Sequence, residues 1–256
     1  MNALTMIKRM TVVHKCAACR TILDVEHFED ALCTGCDRAL SVAKTETCPT
    51  CFKSAVECSC QPRLLSEAGS LCLRRLFFYH PDKSKEPQNR LLFFLKHNRA
   101  RRAAELLASE LWPLVSTELD LLGVDAASGA VLVNLPRRPR SVMLEGLDQS
   151  AELCRAISRL YGIPYVPAIK RGLGGKEQKM LNAAERKKNI KSLMRANRAY
   201  AESIVGRYVI LLDDVVTTGA SMAACLPILR KMGSRGVICC CIASDVKKKR
   251  NSQNFS

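Results

Sequence analysis

The run Val209-Ile210-Leu211-Leu212-Asp213-Asp214-Val215-Val216-Thr217-Thr218-Gly219-Ala220-Ser221 constrains the fold more tightly than any other segment. Its four leading apolar residues predict a strand covered on both faces, the situation of a parallel sheet. Two carboxylates, Asp213 and Asp214, then stand at the carboxyl end of that strand. Thr217, Thr218 and Ser221 supply hydroxyl donors, and Gly219 is expected to let the backbone approach a ligand closely. A helix expected from Ser221 to Met232 would aim free N–H groups and its positive dipole end at the loop, which suits a phosphate. Neighbouring carboxylates accept hydrogen bonds from vicinal sugar hydroxyls. A bare Asp-Asp pair would more simply be a strand end followed by helix-capping hydroxyls. The whole ordered string instead describes a sugar-phosphate site.

The amino-terminal part is organised by cysteine. Of 14 cysteines, those before Pro62 read Cys16-x-x-Cys19, Cys33-x-x-Cys36, Cys48-x-x-Cys51 and Cys58-x-Cys60. A C-x-x-C knuckle offers two sulfurs to one tetrahedral ion, and two pairs close a structural zinc site. Consecutive pairing gives one site from Cys16, Cys19, Cys33 and Cys36 and a second from Cys48, Cys51, Cys58 and Cys60. A disulfide framework is the competitor, and a redox C-x-x-C lacks its βαβ surroundings. A module this small and polar would draw its stability from metal, about 10 kcal/mol per site. Pro62 to Ser70 is the expected joint, giving a cysteine module over 1–62, a second domain over 70–246 and a basic tail over 247–256. Cys239, Cys240 and Cys241 fall in an apolar strand-like run and read as small buried hydrophobes.

In the second part, helices are expected over Pro87 to Asn98, Arg101 to Leu122, Leu147 to Leu160 (ended by Gly162 and Pro164) and Ala183 to Met194. Strands are expected at Ala130 to Val133, Tyr165 to Ile169, Tyr208 to Leu212 and Val237 to Ala243. Gly172 to Lys179 reads as a loop able to close over a site. Alternation of this kind argues for an α/β fold with a mostly parallel sheet and ligands beyond the carboxyl ends of strands. Pro227 conflicts with the helix after Ser221 and should kink it, shorten it or delay its start.

Formal charge is +16. Two four-thiolate zinc sites, each net −2, would lower it to about +12. Such an excess favours polyanions, either nucleic acid or a heavily phosphorylated small ligand, although a solvated basic surface fits composition equally well. Basic clusters occur at Arg99, Arg101 and Arg102, at Lys187, Lys188 and Lys191, and at Lys247 to Arg250. Aromatic residues are only 5% of the chain, so stacking along a long single strand is not indicated. No apolar run approaches the ~20 residues of a membrane span. Met1 to Lys15 lacks a secretory apolar region, which points to a cytoplasmic protein.

The segment Val209 to Ser221 resembles the phosphoribosyl pyrophosphate (PRPP) signature of type I phosphoribosyltransferases. The cysteine module joined to such a domain resembles the ComF family, competence-associated proteins of bacteria. Supporting segments are Leu91 to Asn98 with Lys96, Gly146-Leu147-Asp148-Gln149-Ser150-Ala151, and Gln178-Lys179-x-Leu181 followed by Glu185-Arg186-x-x-Asn189. The resemblance covers Cys16 to Ala243. It implies a mostly parallel sheet of the type I phosphoribosyltransferase kind, preceded by a small double zinc-ribbon-like module.

The resemblance also implies a site. PRPP would be held by Asp213, Asp214, Val215, Thr217, Thr218, Gly219, Ala220 and Ser221, with Asp213 and Asp214 as catalytic carboxylates. Cofactors would be structural Zn²⁺, at up to two sites, and Mg²⁺ accompanying PRPP. Where the family usually has Arg-Gly-Phe, this chain has Glu145-Gly146-Leu147, so a phosphate contact is missing there. Arg137, Arg138 and Arg140 lie just upstream and could supply the charge for pyrophosphate. The implied role is DNA uptake, either with transfer of phosphoribose to a nitrogen acceptor or as a non-catalytic protein binding PRPP, single-stranded DNA or competence-machinery partners. A zinc-stabilised interaction module on a degenerate enzyme fold is the third reading.

Overall fold

The computed structural model describes residues 13–24, 26–27, 29–80, 86–97, 101–139, 142–143, 148–172 and 193–245, apart from 25 and 28. The elements run α1 (Thr34–Lys44), α2 (Arg63–Glu67), β1 (Leu73–Tyr79), α3 (Pro87–His97), α4 (Arg101–Leu121), the short α5 (Ala126–Gly129) and β2 (Ala130–Asn134). They continue with α6 (Gln149–Tyr161), β3 (Ile169–Arg171), β4 (Met194–Ala196), β5 (Tyr208–Val216), α7 (Ala220–Lys231) and β6 (Gly236–Asp245).

Four strands form one sheet in the order β1-β6-β5-β2, and each neighbouring pair is parallel. The two-residue period of a strand divides its side chains between two cores. Ile210, Leu212, Ile238 and Cys240 pack on one face with Leu107, Leu111 and Val115 of α4 and Leu153 and Ile157 of α6. Val209, Leu211, Val237, Cys239 and Cys241 pack on the other with Cys225, Leu226 and Leu229 of α7. The three successive cysteines of β6 are fully buried as expected, and burial raises all three thiols, Cys239 to about 12.

Helix ends follow local chemistry. Asp148 caps α6 by accepting from the Ala151 amide at 3.1 Å, and Gly162 ends it at φ 71°. Helix α4 turns a stripe of Ala104, Leu107, Ala108, Leu111, Val115 and Leu119 to the sheet.

The structure corrects several expectations. Strand β5 does not stop before the acidic pair; it runs to Val216, pairing Asp213 with Cys241 and Val215 with Ala243. Tyr165 makes only an isolated parallel bridge to Leu132, and the strand nearby is Ile169–Arg171, antiparallel to β4 in a separate ribbon. Met194 begins a strand, not the end of a helix; the rest of the helix expected from Ala183 lies outside the described residues. Helix α7 starts at Ala220 and continues through Pro227, so the proline neither delays nor shortens it. Strand β1 was not foreseen.

The cysteine-rich segment packs directly on the sheet. Cys16, Leu23, Cys36 and Leu40 share a core with Leu76 and Phe77 of β1, and Cys48, Ala55 and Cys58 pack on Phe78. Polar contacts add to this, an ion pair of Lys44 with Glu110 at 2.6 Å and a hydrogen bond between His80 Nε2 and Glu46 Oε1 at 2.7 Å. Among the described residues, no helix is long and apolar enough to cross a membrane.

Candidate functional site

The carboxyl ends of β1, β2 and β5 open into one cavity of about 420 Å³. Asp213, Asp214, Val215, Thr217 and Ser221 line one side, and Arg137 and Arg138, following β2, line another. Tyr79, at the end of β1, and Arg171, in β3, complete it. Four segments far apart in sequence thus place acids, hydroxyls and guanidinium groups around one space of small-molecule size.

The acidic pair is held by its own backbone. Asp213 Oδ1 accepts from the Asp214 amide at 2.9 Å and from Ser150 Oγ at 3.3 Å, while Asp214 Oδ1 accepts from the Val215 amide at 2.8 Å. Burial, and then the adjacent Asp214 charge, holds the Asp213 carboxyl well above the usual carboxylate range. Two acids side by side in a packed strand are unfavourable for folding. They become useful only when a cation or a hydroxyl-bearing ligand shares the charge.

The basic wall is equally constrained. Burial, reinforced by Arg138 nearby, lowers the Arg171 guanidinium below its ordinary value. Asp148 props the Arg137 segment: its Oδ2 accepts from the Arg137 amide at 3.4 Å and from Asn134 Nδ2 at 3.3 Å, and Tyr165 donates to Asn134 at 3.0 Å. Burial raises Asp148 above the usual range too.

The residues of the signature loop separate. Thr217 and Ser221 line this cavity, whereas Thr218 lines only a second one, and its Oγ1 accepts from the Ala220 amide at 3.4 Å. Gly219 sits at φ 72° as the N-cap of α7. A Cβ there would lie 2.8 Å from Leu65 and 3.3 Å from Pro62, so the absence of a side chain leaves room for the Pro62–Leu65 segment. Ala220 opens the helix. Arg140 lies outside the described residues, as do Gly146, Leu147, the segment Gln178 to Asn189 and nearly all of the Gly172 to Lys179 loop.

Sequence reasoning did not assign Arg171, Tyr79, Ser150 or Asp148 to the site. Asp148 and Ser150 stood inside the segment Gly146 to Ala151 and were legible as a supporting motif. Arg171 and Tyr79 carried no local signal; the sheet order and the ribbon bring them in.

The cysteines gather as paired. The four sulfurs of Cys16, Cys19, Cys33 and Cys36 lie within 4.8 Å of one another, as do those of Cys48, Cys51, Cys58 and Cys60. Cys19 and Cys33 sulfurs are 3.7 Å apart and Cys51 and Cys58 sulfurs 3.6 Å. A tetrahedral ion with Zn–S of about 2.3 Å needs sulfurs about 3.8 Å apart, so both clusters fit zinc. Burial pushes the Cys48 thiol up, but the amides of Cys51 and Thr50 outweigh it and hold the thiol at about 7. Arg75 of β1, nearly buried, donates to Cys58 Sγ at 3.5 Å and to the Cys60 carbonyl. It answers the negative charge a four-thiolate site would carry.

No model of a known protein family matches the chain. The DNA utilization protein YhgH of Escherichia coli (strain K12) is 28% identical over 240 residues, covering 91% of this chain and 98% of its own. The protein of the same name from Salmonella typhimurium (strain LT2) is 27% identical over 236 residues, again covering 91% and 98%. Among solved structures, hypoxanthine phosphoribosyltransferase from Trypanosoma cruzi is 17% identical with a TM-score of 0.34, covering 61% of this chain and 71% of its own. Glutamine PRPP amidotransferase from B. subtilis is 16% identical with a TM-score of 0.35, covering 63% and 28%. Scores this low carry no argument; the α/β fold with its parallel sheet rests on the strand pairing itself.

Two predictions follow from this geometry. Purified protein is expected to hold about two zinc ions per chain, and Cys19→Ser and Cys60→Ser should each lose one of them, measured by atomic emission, because each removes a ligand from a different cluster. Unchanged metal content in both variants would contradict the assignment. The second concerns Asp213, whose folded-state pKa is raised. Above the ordinary carboxylate pKa of about 3.9 the unfolded chain releases this proton first, so Asp213 lowers stability as pH rises towards its folded pKa. Asp213→Asn should therefore melt higher than the wild type, by a few °C at neutral pH, with the gap widening as pH rises. A variant melting lower at every pH would contradict it.

Proposed function

We propose that this chain binds PRPP in the cavity beyond β5 and belongs, in architecture and role, with phosphoribosyltransferase-like proteins of the ComF type, associated with DNA uptake. One observation carries the reading. Asp213, Asp214, Thr217 and Ser221 line the same cavity as Arg137, Arg138 and Arg171. Acids for ribose hydroxyls, hydroxyls and a helix start for a phosphate, and guanidinium groups for a pyrophosphate thus surround one space. Cysteine module 1–62 and domain 70–246 are the proposed divisions of the chain.

In this reading the 5′-phosphate rests against Thr217 and Ser221 at the start of α7, where free N–H groups and the helix dipole favour an anion. Asp213 and Asp214 accept hydrogen bonds from the 2′- and 3′-hydroxyls. Arg137, Arg138 and Arg171 neutralise the pyrophosphate. Mg²⁺ bound with PRPP would add positive charge at the leaving group. As pyrophosphate departs, positive charge develops on the ribose ring, and the two carboxylates stabilise it. A nitrogen acceptor then bonds to C1′. The same contacts serve a non-catalytic protein that senses PRPP, so binding is the primary claim and transfer the further one.

Calorimetric titration of PRPP with Mg²⁺ tests the assignment. Asp213→Ala and Asp214→Ala should each weaken binding about tenfold or more, since each removes a hydrogen-bond acceptor for the ribose hydroxyls, while the far-ultraviolet circular dichroism stays that of the wild type. Wild-type affinity in both variants would overturn it.

The role in DNA uptake is supported by the name of the relatives, DNA utilization protein, and by the formal charge of +16. It predicts that a fluorescent single-stranded oligonucleotide binds and that affinity falls by about tenfold or more between 50 and 200 mM salt, the mark of phosphate neutralisation. No binding, or binding indifferent to salt, would remove the DNA role while leaving the PRPP cavity standing.

A further inference from the structure

Helix α6 begins beside the acidic pair, and its first turn divides two tasks between two side chains. Asp148 is the N-cap and does the capping, accepting from the Ala151 amide at 3.1 Å. Ser150, two residues on, is 1% exposed and is not needed as a cap. A serine in the first turn of a helix ordinarily bonds to nearby backbone or to water. Ser150 instead sends its hydroxyl across 63 residues of sequence to Asp213 of β5, with Oγ 3.3 Å from Oδ1.

That oxygen is committed twice, because the Asp214 amide donates to the same Oδ1 at 2.9 Å. Two donors from different elements on one oxygen stop the carboxyl from turning about its last bond. The spacing between the two elements is set by the core, where Leu153 and Ile157 of α6 pack with Ile210 and Leu212 of β5. The start of α6 also brings the positive end of its dipole towards Asp213, which favours an anion there. Asp214 has a different support, since its Oδ1 accepts from the Val215 amide of its own strand. The two acids of the pair are thus held by different means, and a side chain from outside β5 reaches Asp213.

We propose that Ser150 is a positioning residue for the acidic pair: its hydroxyl holds Asp213 Oδ1, leaves Oδ2 as the oxygen offered to the cavity, and favours the carboxylate form that accepts from a sugar hydroxyl. The proposal rests on the ribose-phosphate reading for the identity of the ligand, while the contact itself stands without it. Burial and the Asp214 charge oppose ionisation of Asp213; the Asp214 amide and the Ser150 hydroxyl favour it, because a donor stabilises the anion it bonds to. Other groups act on Asp213 as well: Arg171 of β3, the Cys225 thiol of α7 and the Cys241 thiol of β6. Burial raises both thiols far above neutrality, so neither titrates beside it. Arg137 and Arg138 line the same cavity, and Asp148 of α6 interacts with Asp214. Replacing Ser150 by alanine alters none of these charges. A change in the titration of Asp213 therefore reports the hydroxyl.

The test uses the zinc-loaded full chain, isotope-labelled at its aspartate carboxyls and titrated by NMR as wild type, Ser150→Ala and Ser150→Thr. Asp213→Ala identifies the Asp213 signal. In Ser150→Ala the carboxylate loses a donor, so Asp213 should ionise about one pH unit higher than in the wild type. Ser150→Thr keeps the hydroxyl and should restore the wild-type midpoint. Calorimetry with PRPP and Mg²⁺ below that midpoint should show affinity about tenfold lower in Ser150→Ala, since a tenth as much carboxylate is present. Added to Asp213→Ala, the same change should cost less than about twofold, because the hydroxyl then has nothing to hold. An Asp213 titration unmoved in Ser150→Ala, or fully additive losses in the double variant, overturns the proposal. A serine serving the fold alone would lower the melting temperature and leave the titration where it was. If Ser150→Thr does not fold, Ser150→Ala and the double variant decide. Absence of PRPP binding by the wild type would remove the ribose-phosphate reading, and the NMR titration would still decide the role of Ser150.

Discussion

Asp213 and Asp214 sit side by side inside a paired strand, and this unfavourable juxtaposition is the constraint around which the rest of the domain is arranged. A strand end can hold two carboxylates only if its apolar part is anchored. Here Val209 to Leu212 are completely buried between two cores, and parallel ladders on both sides fix their register. The acids are supported by short-range bonds to Ser150 and to their own backbone, with the cavity left open beside them. Removing the burial would relax the acids and also lose their alignment with the hydroxyl loop. Stability is thus set against keeping two acids beside an open cavity, a cost that the proposed ligand recognition would explain.

The cysteine-rich segment is part of the same arrangement. Pro62 and Leu65 approach Gly219 so closely that a methyl group would not fit, and Arg75 reaches from β1 to Cys58 and Cys60. The second cysteine cluster is therefore coupled to the loop that follows β5 through a few contacts of short reach. A metal bound by the cluster would therefore also order one wall beside the loop. This gives the module a reason to be attached to this domain beyond stability, since folding of the module and shaping of the loop share residues.

What could be seen in the amino-acid order follows from how local each signal is. The buried run ahead of Asp213, the Gly162 stop of α6 and the C-x-x-C spacings are local, and each lies where it was expected, whereas the helix read from Leu147 starts at Gln149 behind the Asp148 cap. The extension of β5 through the acids was hidden because charged residues argue against a strand. Its edges are satisfied by β6, which no neighbouring residue reveals. Strand β1, with two arginines in Leu73–Tyr79, was concealed for a similar reason: Arg75 is buried because it faces the cysteine cluster, and Arg74 is half-buried where it pairs with Glu118. Pro227 misled in the other direction, since packing of α7 on the sheet outweighs one missing backbone bond. Arg171 and Tyr79 enter the site only through tertiary structure. The contact of Gly219 with Leu65, which leaves no room for a side chain, is likewise tertiary.

The most direct test is a crystal of the full chain grown with PRPP and Mg²⁺. The account predicts density for the phosphorylated pentose beside β5, its ring hydroxyls on Asp213 and Asp214 and its 5′-phosphate against Thr217 and Ser221. Aspartates bonded only to protein with the pentose phosphate bound elsewhere, or absent from a fully soaked crystal, would contradict it.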